Sequence, residues 1–225
     1  MGSICTLLRS VTATLVLASA PLVEANCDFG DFPKMWGMKL HSVIDNSQHN
    51  NRPMMVKGFT VDSEVDEVVD FYHRKWKGQF DDSTFGPWYQ VSTLTASCMM
   101  TVQIASMDDS AQGRLVISNV PTADPDAEIG EDLIAPPDAV VVSDLLTKDG
   151  IKDGRLSLLA SADSPSEVSA FYQSAMSAAG WLSDHSFTEG DARVLVFRKG
   201  LNVSNVLIMP TPEVTQILIN EEAVR

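Results

Sequence analysis

Glu167-Val168-Ser169-Ala170-Phe171-Tyr172 and Glu67-Val68-Val69-Asp70-Phe71-Tyr72 share the frame Glu-Val-x-x-Phe-Tyr at a separation of 100 residues. A recurring frame of this kind is the first thing to look for, because an internal repeat organises everything else. The flanks agree. Upstream, Arg155 to Ala160 and Met55 to Thr60 are both strand-like runs. Before them, Val140 to Leu146 and Met38 to Ile44 are apolar runs, each followed by a polar turn segment, Lys148 to Gly154 and Asp45 to Arg52. Downstream, Trp181 follows Gly180 and Trp88 follows Gly86-Pro87, and further strand-like runs follow each tryptophan. These are Cys98 to Ala105 and Arg114 to Ser118 in one half, and Arg193 to Arg198, Val206 to Met209 and Thr215 to Asn220 in the other.

The frame itself reads as helix. Ser164-Pro165-Ser166-Glu167 supplies an N-cap serine, a proline where its missing N–H is not needed, and a glutamate placed to close a capping box. Gly180 ends that helix. In the first half Asp62 or Ser63 is the expected cap, and Val65, Val68, Val69, Tyr72 and Trp76 recur at helical spacing. The expected fold class is therefore α+β: two tandem units of strand, strand, helix and two or three strands, each helix packed on one face of an antiparallel sheet. Units are expected over 28–120 and 137–225, joined by a solvated linker, 121–136, rich in acids and proline.

The capped segment from Ser164 through Phe171-Tyr172 to Gly180-Trp181, followed by alternating strands, resembles a helix-and-antiparallel-sheet module of uncharacterised bacterial exported proteins and lipoproteins. The resemblance covers the second half well and rests in the first on Glu67-Val68-x-x-Phe71-Tyr72. That group has no assigned activity, so it implies no functional residue here.

At the N-terminus, Arg9 precedes the apolar stretch Val11 to Ala18, with small residues at Ala20 and Ala25. This is the pattern of a signal peptide over 1–25, cleaved between Ala20 and Ala25, and it is too short to remain as a membrane span. The protein is thus expected to be exported, periplasmic or secreted, from a bacterial host. Cys5 leaves with the signal, so Cys27 and Cys98 remain as an even pair expected to form a disulfide. The net charge is −14, and removing Arg9 with Glu24 leaves it unchanged. Such a field disfavours nucleic acid and anionic lipid as partners.

Motifs for chemistry are scarce. His41, His49, His73 and His185 form no metal-binding or catalytic spacing, and there is no nucleophile elbow or phosphate-cradling glycine loop. Asp124-x-Asp126-x-Glu128 begins like a calcium loop, but Ile129 stands where glycine is needed and Ala135 where glutamate is. Asp81-Asp82, Asp108-Asp109 and Asp149 to Gly154 read as turns. No catalytic residue, metal ligand or cofactor is expected. Tyr72, Trp88, Tyr172 and Trp181 are the residues expected to line a ligand groove, if they do not simply fix the helices to the sheet. The functional expectation is a non-catalytic exported binding or scaffold protein with a protein or cell-envelope partner. The alternative is an extracytoplasmic hydrolase or metal-dependent enzyme with its site where the two repeats meet.

Overall fold

A computed structural model describes residues 27–108, 110–120 and 129–225, with the side chains of Asp45 and Asn46 excepted. The expected signal segment, Asp109 and the acids at 124, 126 and 128 lie outside the described residues.

Among the described residues, twelve strands form one antiparallel sheet in the order β3-β4-β5-β6-β2-β1-β7-β8-β12-β11-β10-β9. The strands are β1 (Lys39–His49), β2 (Arg52–Val61), β3 (Asp81–Phe85), β4 (Trp88–Leu94), β5 (Cys98–Met107), β6 (Ser110–Asn119), β7 (Val140–Asp149), β8 (Lys152–Ser161), β9 (Leu182–Glu189), β10 (Ala192–Lys199), β11 (Asn202–Pro210) and β12 (Thr215–Val224). The helices are α1 (Val65–Trp76) and α2 (Pro165–Ala178). The expected fold class is corrected here. Strand dominates the chain, and β1 pairs with β7, so there is a single continuous sheet where two helix-covered units were expected.

The physical reasons are local. Asp45 to His49 reads as a polar turn, yet β1 runs on through it because Ser47, Gln48 and His49 pair on one side with β2 and on the other with β7. The segments that became β3 and β9 are exposed along their whole length. They lack the apolar alternation that marks a half-buried strand, since an edge strand can be held by pairing with its neighbour's backbone without burying a face.

α2 is built as its residues dictate. The Ser164 side chain accepts from the Glu167 backbone N–H, and the Glu167 carboxylate accepts from Ser164 N–H at 2.9 Å. The Ser164 hydroxyl also donates to that carboxylate at 2.7 Å, and this bond, with the one from Ser164 N–H, holds the Glu167 carboxyl below its ordinary pKa. The last turn has no basic residue of its own, and Lys199 Nζ donates to the Ala179 carbonyl at 2.9 Å in its place. In α1 the cap differs from expectation: Glu64 occupies the position and makes no side-chain cap bond. Acids in its first turn and bases in its last complement the helix dipole instead.

Both helices lie on the same face of the sheet, α1 over β4, β5 and β6 and α2 over β9, β10 and β11. Under α1 sit Val68, Tyr72, Val91, Val102, Ile104 and Leu115, all fully buried. Phe59 completes this layer by lying against Gly113, where an added Cβ would collide with its ring and with the Gln103 carbonyl. Under α2 sit Val168, Tyr172, Leu195, Val206, Ile217 and Ile219. Leu133, Ile134 and Ala135, from the stretch read as solvated linker, pack against this second core.

Cys27 and Cys98 form a disulfide across a sequence separation of 71. It pins the segment that carries Phe29 and Phe32 into the first core, where the Phe32 ring meets Tyr72 and Trp76 edge-on. The Tyr72 hydroxyl donates to the Pro33 carbonyl at 3.0 Å on the same segment. By loop-closure entropy a bridge of this span stabilises by about 4 kcal/mol. Cys98→Ser is therefore expected to lower the urea unfolding free energy by about that amount and to free Phe32 for solvent. Equilibrium denaturation, with proteolysis near Phe32 as a second readout, checks this, and unchanged stability would contradict it.

Candidate binding face and the seam

Because side chains alternate across a strand, the register of the sheet assigns every strand residue to the helix-covered face or to the opposite one. Leu195, Val206 and Ile219 are opposed in turn, as are Ile208, Ile217 and Leu159, and all six lie under α2. Their immediate neighbours project the other way. Phe187, Val194, Leu207, Leu218 and Leu158 are opposed across β9, β10, β11, β12 and β8. They form a row of five apolar side chains on five adjacent strands, on the face that no helix covers. The row beside it reads His185, Val196, Asn205, Asn220, Leu156 and Leu145.

Among the described residues, exposed large apolar side chains concentrate on this face. Phe85 (68%), Leu94 (62%), Met99, Val140 (66%), Leu156 and Phe187 (55%) all project from it. An antiparallel sheet with one solvated face ordinarily places polar side chains there. This one departs from that pattern. A sequence signal existed: Val206 to Met209 and Ile217 to Ile219 are unbroken apolar runs, and a run without alternation marks a strand apolar on both faces.

The four expected groove residues are not brought together. Tyr72 and Tyr172 are buried under the two helices, and burial pushes both hydroxyls well above the ordinary tyrosine pKa. The Tyr172 hydroxyl is buried with no protein partner. Trp181 packs, partly buried, against the second core. Trp88 alone among them projects from the uncovered face, with the Arg114 guanidinium 5.2 Å from its ring centre. His41 lies on that face too, its ring across Gly58, where any Cβ would meet the imidazole. His185 accompanies Asp184, whose carboxyl is held below its ordinary pKa chiefly by the hydrogen bond from Arg198 at 2.6 Å.

The second place with dense polar geometry is the seam. Asn50 N–H donates to the Asp144 carbonyl and Asp144 N–H to the Asn50 Oδ1, both at 2.9 Å. Behind them, under the helix-covered face, Arg155 Nε and its terminal nitrogen both donate to the Asp144 carboxylate at 2.9 Å, and Ser157 Oγ donates to it at 2.7 Å. Arg155 also reaches the Glu131 carbonyl. Asp144 is thus a structural clamp whose acceptor capacity is used. On the other face His49 Nε2 lies 3.0 Å from Ser143 Oγ. Burial, with Arg52 adding to it, lowers the His49 pKa, opposed by Asp144.

Two of the clefts that open on the described surface adjoin the seam and the β3 edge. One of 370 Å³ lies at the seam, lined by Ser47, Gln48, Pro53, Leu146 and Lys148. The other, of 750 Å³, opens toward the β3 edge and includes Gln90, Ser92, Thr101, Met99 and Asp81 in its lining. Neither brings a histidine together with an acid. Among the described residues no three potential metal ligands gather at one point. No helix among them is long and apolar enough to cross a membrane, and this with the disulfide is compatible with an exported protein.

Two outcomes test the seam. Asp144→Ala strands the Arg155 guanidinium, which keeps little exposure, and is expected to cost about 3–5 kcal/mol of unfolding free energy, measured in urea. For His49 the folded pKa lies below the unfolded one, so the unfolded chain takes up the proton first. Stability is then complete above about pH 6.5 and falls as the pH drops from there through the folded value. His49→Gln is expected to reduce that acid loss in pH-dependent melting. An unchanged profile would count against the assignment.

A START domain-like family model matches residues 141–217, about a third of the chain. This segment begins within β7 at the seam and ends in β12, so it includes α2 and four of the five strands that carry the complete apolar row, with part of the fifth. No curated protein and no solved structure matches the chain.

Proposed function

We propose that the protein is a non-catalytic exported binding or scaffold module, and that the uncovered sheet face is the surface through which it acts. The row Phe187, Val194, Leu207, Leu218 and Leu158 carries this reading. Apolar side chains on five adjacent strands keep an ordered, water-facing surface whose burial is worth about 25 cal/mol per Å² to whatever covers it. The similarity to a START domain-like family over a segment that holds all of this row but Leu218 supports attention to the same half of the chain. The enzyme alternative draws no support from the seam, where the acid that would assist a histidine is held by Arg155 and Ser157.

Site-specific photo-crosslinking in producing cells tests the reading. A crosslinker at Asn205, on the uncovered face, is expected to give adducts, and one at Gln173, on α2, is expected to give none. Adducts from Gln173 alone, or none from either while the protein turns over substrate in a hydrolase panel, would overturn it.

A further inference from the structure

We infer that the occupant of the apolar row is the same row on a second copy of this chain, the two sheets packing face to face about a two-fold axis. This rests on the reading of the uncovered face as the acting surface and names its partner.

Charge makes the first argument. The chain carries a net charge of −14, so any close approach of two copies is opposed over most of the surface. The row and its neighbour from His185 to Leu145 contain no acid. Of the acids that border them, Asp184 is paired with Arg198 at 2.6 Å and Glu222 with Lys152 at 3.5 Å, and Glu189 stands at the outer end of the edge strand β9. A surface evolved for a cationic partner would place acids in its centre. This one is apolar in the centre with its acids at the margin, two of the three paired, the anatomy of an interface core and rim. An anionic lipid surface fits poorly, since the rest of the chain repels it.

Area makes the second argument. On the other side of the apolar row lies a third, Glu189, Ala192, Met209, Gln216, Ala160 and Val140. Six strands from β9 to β7 at about 4.8 Å spacing, with these three rows about 6.8 Å apart, give a patch of roughly 500 Å² per copy. Two copies together bury roughly 1,000 Å², which reaches the lower bound for a specific interface. Self-complementarity needs no further partner, because a two-fold axis opposes each row with itself or its neighbour. Packing at about 10 Å between sheets then gives the chain the second apolar layer that its own helices do not supply on this side.

Analytical ultracentrifugation of the intact, disulfide-bonded protein from about 1 to about 100 µM tests this, that being where an interface of this size is read. The expected result is a dimer whose association tightens as salt is added, since salt screens the repulsion between two chains of charge −14. The pair Phe187→Glu with Leu156→Glu uses side chains already exposed in one copy, so folding is retained and melting temperature confirms it. That variant is expected to associate at least tenfold more weakly, and Leu201→Glu, exposed on the β10–β11 turn, to leave association unchanged. A monomer at every concentration and salt level overturns the inference, as does a dimer indifferent to Phe187→Glu with Leu156→Glu. Adducts from Asn205 to a different molecule, with the protein monomeric, overturn the second copy while leaving the uncovered face as the acting surface. No adducts from Asn205 with a monomer overturn both.

Discussion

Pairing of β1 with β7 joins Asn46, Ser47, Gln48 and His49 to Lys148, Thr147, Leu146 and Leu145. An unpaired strand edge exposes a ladder of backbone donors and acceptors to any other strand. Here the two edges satisfy one another, and the clamp of Asn50 on the Asp144 backbone closes the pairing at its end. With that ladder made, the helix-covered faces of the two halves coincide, and so do the uncovered ones. Break it, and there are two six-stranded sheets with independent faces. The side on which the chain presents apolar surface, and the extent of that surface, therefore depend on four residue pairs.

The uncovered face has different chemistry in the two halves because the strands of the second half are apolar on both of their faces. Leu195, Ile208, Ile217 and Leu159 fill the layer under α2, and a single step in register gives Val194, Leu207, Leu218 and Leu158 on the other side. The first half is more mixed on that face: Gln90 faces Gln103, Ser92 faces Thr101, and Arg114 extends over Trp88. The two halves are alike in the order of their elements, but they differ in what they offer to a partner. The apolar row lies in the half that includes the START domain-like match.

Much of the local structure was legible in the residues. The capping box at Ser164 and the helical stripe through Val68 and Tyr72 follow from short-range rules that hold wherever the chain goes, and the pairing of Cys27 with Cys98 follows from the even cysteine count left without Cys5. Edge strands were not legible. Asp81 to Phe85 and Leu182 to Glu189 are exposed along their length and join the sheet through backbone pairing with a few polar side-chain contacts, which leaves no mark in hydrophobic periodicity. The seam escaped for a related reason: Ser47, Gln48 and His49 have the composition of a turn and are strand only because β7 is beside them. The expected groove of Tyr72, Trp88, Tyr172 and Trp181 failed to assemble because helical spacing put three of these aromatics, all but Trp88, into the helix-covered layer or against it. The uncovered row carried a readable signal in the unbroken runs Val206 to Met209 and Ile217 to Ile219, since alternation is lost when both faces of a strand are apolar.

The account turns on the sheet being continuous, and residue-resolved amide hydrogen exchange of the native protein tests that most directly. Amides hydrogen-bonded between residues 46–49 and 145–148 are expected to be protected, with opening free energies close to those of the flanking β2 and β8 ladders. Exchange of those amides at open-chain rates, with β2 and β8 protected independently, would mean two separate sheets and would contradict the shared face on which the rest is built.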